Sequence, residues 1–311
     1  MKKIAVIGAN PARQKTLVFN SFVRGEVNRA AEKSEFPSGK GINFCRAARC
    51  FGAADTELFQ FCGGENGKFI ISELEKALFD VRSVTTAGET RCCITALDRG
   101  ESVMTELIEP SVAVSESEAD EFCTLFERCV PGVDAVAICG TLPDGSDPGI
   151  YQRICRAAVA AGLPILLDAC KDVETLLESG NVFLKINRQE LEKLSGEADI
   201  ECGLKKIFSK YPVRYAGITD GASRAYASDG NLLIMYDIPE LPEVVNPIGC
   251  GDTAGAVWMS GMLNGMDFAE AFNYALGAAT ANAATMMPGS FFRSEAVNWA
   301  GAVRISFKTL V

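Results

Sequence analysis

A chain of 311 residues suffices for one large α/β domain with a small appendage, and 48% hydrophobic with 23% charged residues is ordinary for a soluble globular protein. The net charge of −10 excludes nucleic acid or an anionic membrane surface as the main partner, leaving phosphate compounds only to a local basic cluster with backbone N–H groups. The absence of histidine excludes Ser-His-Asp and Cys-His catalysis, and twelve scattered cysteines without a C-x-x-C pair disfavour zinc and read as reduced cytosolic thiols.

In chain order, Met1-Lys2-Lys3-Ile4-Ala5-Val6-Ile7-Gly8 reads as a first strand and not a signal peptide, because Asn10, Arg13, Gln14 and Lys15 follow immediately. Residues 10–37 are polar and strand-like. Pro37-Ser38-Gly39-Lys40-Gly41-Ile42-Asn43 then leads into a helix. Residues 82–112 are again strand-like, with period-two alternation from Arg91 to Leu97. These two polar segments predict a small β lid inserted into a single domain spanning 1–311. Strands are predicted at 133–139, 163–168, 182–186 and 215–219, with a helix over 147–161. Short apolar strands separated by helices imply an α/β fold, its mostly parallel sheet covered on both faces, with sites beyond the carboxyl ends of the strands. No run reaches the ~20 apolar residues needed to span a bilayer. Residues 291–311 carry no clear pattern.

Chemistry concentrates in Asn246-Pro247-Ile248-Gly249-Cys250-Gly251-Asp252-Thr253, where an apolar helical run follows at once. Without Cβ atoms, Gly249 and Gly251 let consecutive N–H groups face an anion at a helix N-terminus. An acid there would repel a phosphate, so Asp252 needs a function. Deprotonating a hydroxyl that attacks the phosphate supplies one. The Gly39-Lys40-Gly41 run permits close backbone approach, with Lys40 as a point charge and Asn43 as a partner for a hydroxyl; a lysine in a surface turn is the plainer reading. In Lys185-Ile186-Asn187-Arg188-Gln189-Glu190, Glu190 could orient hydrated Mg²⁺ and Asn187 a nucleotide phosphate. Equally, Asn187 could be an N-cap and Glu190 its capping-box partner. Cys250 reads as a small residue in place of alanine, with a redox switch as the sharper alternative. Gly249-x-Gly251-x-x-Ala254 also imitates a dinucleotide fingerprint, but it falls late in the chain and Asp252 would face the pyrophosphate.

These motifs, with Asn10-Pro11-Ala12, Gly25-Glu26-Val27-Asn28-Arg29, Gly88-Glu89-Thr90-Arg91 and Gly140-Thr141-Leu142-Pro143, resemble the ribokinase-like (PfkB-type) carbohydrate kinases to about Ser290. The resemblance is closest to the phosphosugar branch, the 1-phosphofructokinases and tagatose-6-phosphate kinases. It implies a three-layer α/β/α core, a β lid that often forms a homodimer contact, and a cytoplasmic Mg·ATP phosphotransferase acting on a sugar or sugar phosphate. It implies Asp252 as base and Gly249, Cys250 and Gly251 as the anion hole. Lys185, Asn187, Glu190, Thr219 and Gly221 fall on the nucleotide side, with Mg²⁺ reached from Glu190 through water. Gly39, Lys40, Asn43 and Arg91 fall on the acceptor side, and Arg29 looks like a lid arginine reaching a substrate phosphate in the neighbouring subunit.

Departures from the family pattern bear on the substrate. Gln14 stands where an aspartate grips sugar hydroxyls, Ser38 replaces a glycine, Pro247 a threonine, Ile186 a proline and Arg224 a glycine. A kinase of an unphosphorylated sugar or nucleoside, and a non-catalytic sugar-phosphate or nucleotide sensor, are the alternatives these departures keep open.

Overall fold

The structure, a computed structural model, describes residues 1–101, 103–168 and 173–310; Ser102 of the second lid segment and Val311 lie outside the described residues. The chain opens with β1 (Lys2–Ile7) and a polar hairpin of β2 (Ala12–Phe19) and β3 (Glu32–Ser38), which runs into α1 (Lys40–Phe51). Then come β4 (Ala54–Gly63), α2 (Gly64–Lys76), β5 (Asp80–Thr86), β6 (Cys92–Asp98) and β7 (Val103–Ile108). Alternation sets in with α3 (Glu116–Cys129), β8 (Ala135–Cys139), α4 (Gly149–Ala160), β9 (Ile165–Asp168) and α5 (Val173–Leu177). It continues through β10 (Val182–Asn187), α6 (Arg188–Ser195), α7 (Ile200–Lys210) and β11 (Val213–Asp220). The chain closes with β12 (Arg224–Ser228), β13 (Leu232–Asp237), α8 (Cys250–Leu263), α9 (Phe268–Ala283), α10 (Arg293–Ala302) and β14 (Arg304–Thr309).

Among the described residues, ten strands form one sheet in the order β14-β13-β12-β11-β10-β9-β8-β1-β4-β5. From β11 to β5 every pairing is parallel, and β12, β13 and β14 add antiparallel neighbours at one end. The interior strands are largely apolar because helices cover both faces, with β8 apolar at every position and polar residues such as Asp168 and Lys185 near strand ends. Ile4 and Val6 of β1 pack with α1, α2, α8, α9 and α10, while Ala5 and Ile7 pack with α3, α4, α6 and α7. This is the expected α/β/α layering. No helix among the described residues is long and apolar enough to cross a membrane.

A second sheet has the order β3-β2-β6-β7. It corrects the expected bounds of the second polar segment, because residues 82–86 belong to β5 at the edge of the large sheet, paired with β4. An edge strand buries one face only, so β5 alternates in the same way as the small sheet's strands. The small sheet joins the main layer through β3, whose last residue, Ser38, precedes Gly39 and α1.

Candidate active site

Helix α8 supplies the acid. Its Ala254-Gly255-Ala256-Val257-Trp258-Met259 run is buried all round, as expected for a helix apolar on every face, so its first turn is held rigidly. Gly249, the N-cap, has φ 82°, and a Cβ there would lie 2.9 Å from Pro288 Cβ. The preceding turn is tied down by Asn246, which accepts from Ile248 N–H (3.1 Å) and donates to the Met286 carbonyl (2.9 Å). The first-turn amides, including those of Gly251 and Asp252, lack helical acceptors by construction and are available to an anion.

Asp252 is 5% exposed. Its Oδ2 accepts from Asn43 Nδ2 at 2.9 Å and its Oδ1 lies 3.4 Å from Lys40 Nζ. Lys40 also lies 3.5 Å from Asp168 Oδ1, and the same oxygen is 3.3 Å from Lys185 Nζ. Burial alone would pull the Lys40 ammonium down, but Asp168 and Asp252 outweigh it and hold its pKa above the ordinary lysine value. Lys185 is 4% exposed and directly opposite Asp168 in the β9–β10 register. A Cβ on Gly251 would fall 2.7 Å from its Nζ, so the glycine lets the loop approach this cation. A cavity of about 330 Å³ opens beside the cluster, lined by Asn10, Lys40, Arg91, Cys139, Gly140, Thr141 and Glu190. Arg91 Nη2 donates to the Asn10 carbonyl (3.0 Å), whereas its buried Nε has no acceptor.

Asn187 and Glu190 form a reciprocal capping box: Asn187 Oδ1 accepts from Glu190 N–H (2.9 Å) and Glu190 Oε2 from Asn187 N–H (2.8 Å). The helix-cap reading is therefore realised, while Glu190 also lines the cavity. Thr219 pairs with Asn187 at the ends of β11 and β10, and exposed Gly221 follows with φ 67°. Gly39 caps α1 with φ 120°, its Cα facing Pro11 too closely for a side chain.

Some expected residues stand apart from the cavity. Gln14 is 4% exposed within the small sheet and donates to Thr95 Oγ1 at 2.8 Å, so it is not on the cavity wall. Arg29 is exposed in the loop between β2 and β3 and touches no other candidate residue among the described ones. Ile186 packs in the core, and Arg224 pairs with Asp237 (3.4 Å). Cys250 does not carry an activated thiol. Burial pushes it up to about 11, although Asn282 Nδ2 donates to its Sγ (3.2 Å). Cys250→Ala should therefore keep kcat within about a factor of two in steady-state assays, since only the thiolate is reactive.

Three residues join the site from outside the motifs. Asp168 sits at the carboxyl end of β9, the location where α/β sheets bind ligands, and that position was its signal. Asn282, an amide in the apolar run of α9, donates to the Ile248 carbonyl (3.0 Å) and accepts from Gly289 N–H. Arg46 donates to Asn43 Oδ1 and gave no sequence signal.

The chain matches the family model of the pfkB family carbohydrate kinases over residues 1–290, and it belongs to that family. Its fold is similar to that of phosphofructokinase-2 from Escherichia coli in complex with fructose-6-phosphate (TM-score 0.85, 18% identity, 97% of this chain and 99% of that chain). It is also similar to a possible 1-phosphofructokinase from Thermotoga maritima (TM-score 0.83, 19% identity, 99% of each chain). Ribokinase from Arabidopsis thaliana, complexed with ribose and ATP, matches with a TM-score of 0.73 at 19% identity over 96% of this chain and 99% of that one. The protein is a sugar kinase of the ribokinase-like fold.

Proposed function

We propose that this kinase transfers the γ-phosphate of ATP to a hydroxyl of a ketose monophosphate of the fructose 1-phosphate or tagatose 6-phosphate type, with Asp252 as the base. The observation that carries the reading is the buried Asp252 carboxylate, held by Asn43 and Lys40 beside a cavity walled by Arg91 and Glu190. The acceptor hydroxyl gives its proton to Asp252 as its oxygen bonds to the γ-phosphorus and the bond to the leaving ADP oxygen breaks. The N–H groups of Gly249 and Gly251, with Lys185 beside them and the Cys250 N–H once it leaves its 3.4 Å contact with the Pro247 carbonyl, hold the charge on the transferring oxygens. Among the described residues no three metal-ligating side chains gather. This donor set fits Mg²⁺ carried in on nucleotide phosphates, with Glu190 holding one of its waters, and bound Mg²⁺ would neutralise phosphate charge.

A phosphorylated acceptor is favoured because Arg91 has donor capacity to spare while Lys40 is already matched by two carboxylates. A buried guanidinium N–H without an acceptor is costly, and a substrate phosphate would satisfy it in fork geometry. The exposed Arg29 loop and the exposed Val103, Leu107 and Ile108 of β7 suit a homodimer contact through the small sheet. The free thiols found among the described residues suit the cytoplasm.

A panel of sugars, sugar phosphates and nucleosides with Mg·ATP, assayed for ADP release, tests the acceptor. Arg91→Ala should lower kcat/KM for ketose monophosphates by roughly 10- to 100-fold, as expected for one lost charge-assisted contact, and spare unphosphorylated sugars. Equal losses on both classes would remove the phosphate-clamp role.

A further inference from the structure

Arg46 of α1 is largely buried and has no carboxylate partner among the described residues. Its guanidinium donates instead to three neutral oxygens from three parts of the chain. Nη1 donates to Asn43 Oδ1 at 3.2 Å and to the Pro288 carbonyl at 2.5 Å, and Nη2 to the Pro37 carbonyl at 3.0 Å. Burial pulls this guanidinium down to about 10, a cost no ion pair offsets. Each contact bears on the base. Pro37 belongs to β3 of the small sheet. Pro288 belongs to the turn against Gly249, and Gly289 beside it leaves no room for a Cβ next to the Asn43 carbonyl.

The contact with Asn43 is the decisive one. An amide presents an acceptor on one side and donors on the other. With its oxygen engaged by a cation that can only donate, Asn43 must turn its NH₂ toward Asp252 Oδ2, where it is found at 2.9 Å. Ser38 Oγ, 3.4 Å from the same oxygen, is too distant to fix that orientation alone. Flipped, the amide would aim its oxygen at the carboxylate.

We propose that Arg46 is a positioning residue for phosphoryl transfer: it fixes the orientation of the Asn43 amide that holds Asp252, and ties that amide to β3 and to the turn behind Gly249. The proposal rests on Asp252 being the base. Arg46 touches no reacting atom, so its effect passes through Asn43, and that route separates it from a residue that merely supports the fold.

The test is a double-mutant cycle on the full chain with Mg·ATP and whichever of fructose 1-phosphate and tagatose 6-phosphate turns over faster. Arg46→Met should lower kcat roughly 10- to 100-fold with KM for ATP within about twofold, the signature of lost transition-state alignment. In an Asn43→Ala background the same change should cost less than about twofold, because the amide it orients is gone. Should Arg46→Met fold poorly, Arg46→Lys keeps the stem and the charge but cannot serve three oxygens in separate directions, and the same loss is expected of it. Wild-type kcat in either variant, a rise in the KM for ATP that accounts for the loss, or an undiminished cost in the Asn43→Ala background overturns the proposal. Asp252→Asn run alongside separates the two ideas. If that variant is inactive while Arg46→Met is fully active, only the positioning role falls. If Asp252→Asn is fully active, the base assignment falls first.

Discussion

Gly251→Ala is expected to lower kcat by roughly 10²- to 10³-fold, comparable to losing one preorganised donor from an anion hole. Its melting temperature should change by no more than a few degrees, because alanine's advantage over glycine in a helix, up to about 1 kcal/mol, offsets part of the cost of the weakened Lys185–Asp168 pair. The backbone at 251 is already helical, so the new methyl group brings no conformational strain. Its cost is local. The Cβ would stand 2.7 Å from Lys185 Nζ, nearer than such atoms approach, so the ammonium at the end of that side chain must shift. Lys185 is buried on β10 between β9 and β11, with its ammonium 3.3 Å from Asp168. Displacing it would weaken that pair and push a cation across the space where the phosphoryl oxygens would lie. Kinetics and differential scanning calorimetry on one preparation check both halves. A variant that lost activity and stability together would point to a disturbed helix instead.

What could be read in the sequence follows from how burial writes itself into composition. β8 is apolar at all five positions because helices cover both its faces, and it was legible at once. β14 is exposed at all six positions, so the alternation of Ile305 and Phe307 with polar neighbours is too short to mark a buried face, and its pairing with β13 makes it a strand. β5 misled because an edge strand with one buried face alternates like a strand of the small sheet. In the site, Gly249, Gly251 and Asp252 stood out because that residue combination at a helix start has few structural uses. Asn187 and Glu190 left two readings open, and the capping box satisfies one without displacing Glu190 from the cavity. Arg46 was invisible. An arginine in a helix usually faces water, and the backbone carbonyls of Pro37 and Pro288 that hold it leave no mark on composition. Gln14 illustrates the converse: its place in a family motif suggested a sugar contact, whereas the small sheet engages it with Thr95.

The largest effect belongs to Asp252. Asparagine has the same shape, and it can turn its carbonyl oxygen to the Asn43 NH₂ so that the 2.9 Å contact survives. Lys40 would keep Asp168 as a partner at 3.5 Å, so no buried ammonium is left unpaired. The fold and the anion-hole amides should therefore persist, and only the capacity to take a proton is lost. General-base removal costs on the order of 10² to 10⁴ in rate, and a carboxylate inside an anion site belongs at the upper end.

The kcat of Asp252→Asn on fructose 1-phosphate and tagatose 6-phosphate, at saturating Mg·ATP and with an unchanged melting temperature, tests the central claim most directly. A fall of at least about 10³-fold with nucleotide affinity retained is the predicted result. Turnover within about tenfold of the unaltered enzyme would contradict it, since a carboxylate whose amide works nearly as well is not the base.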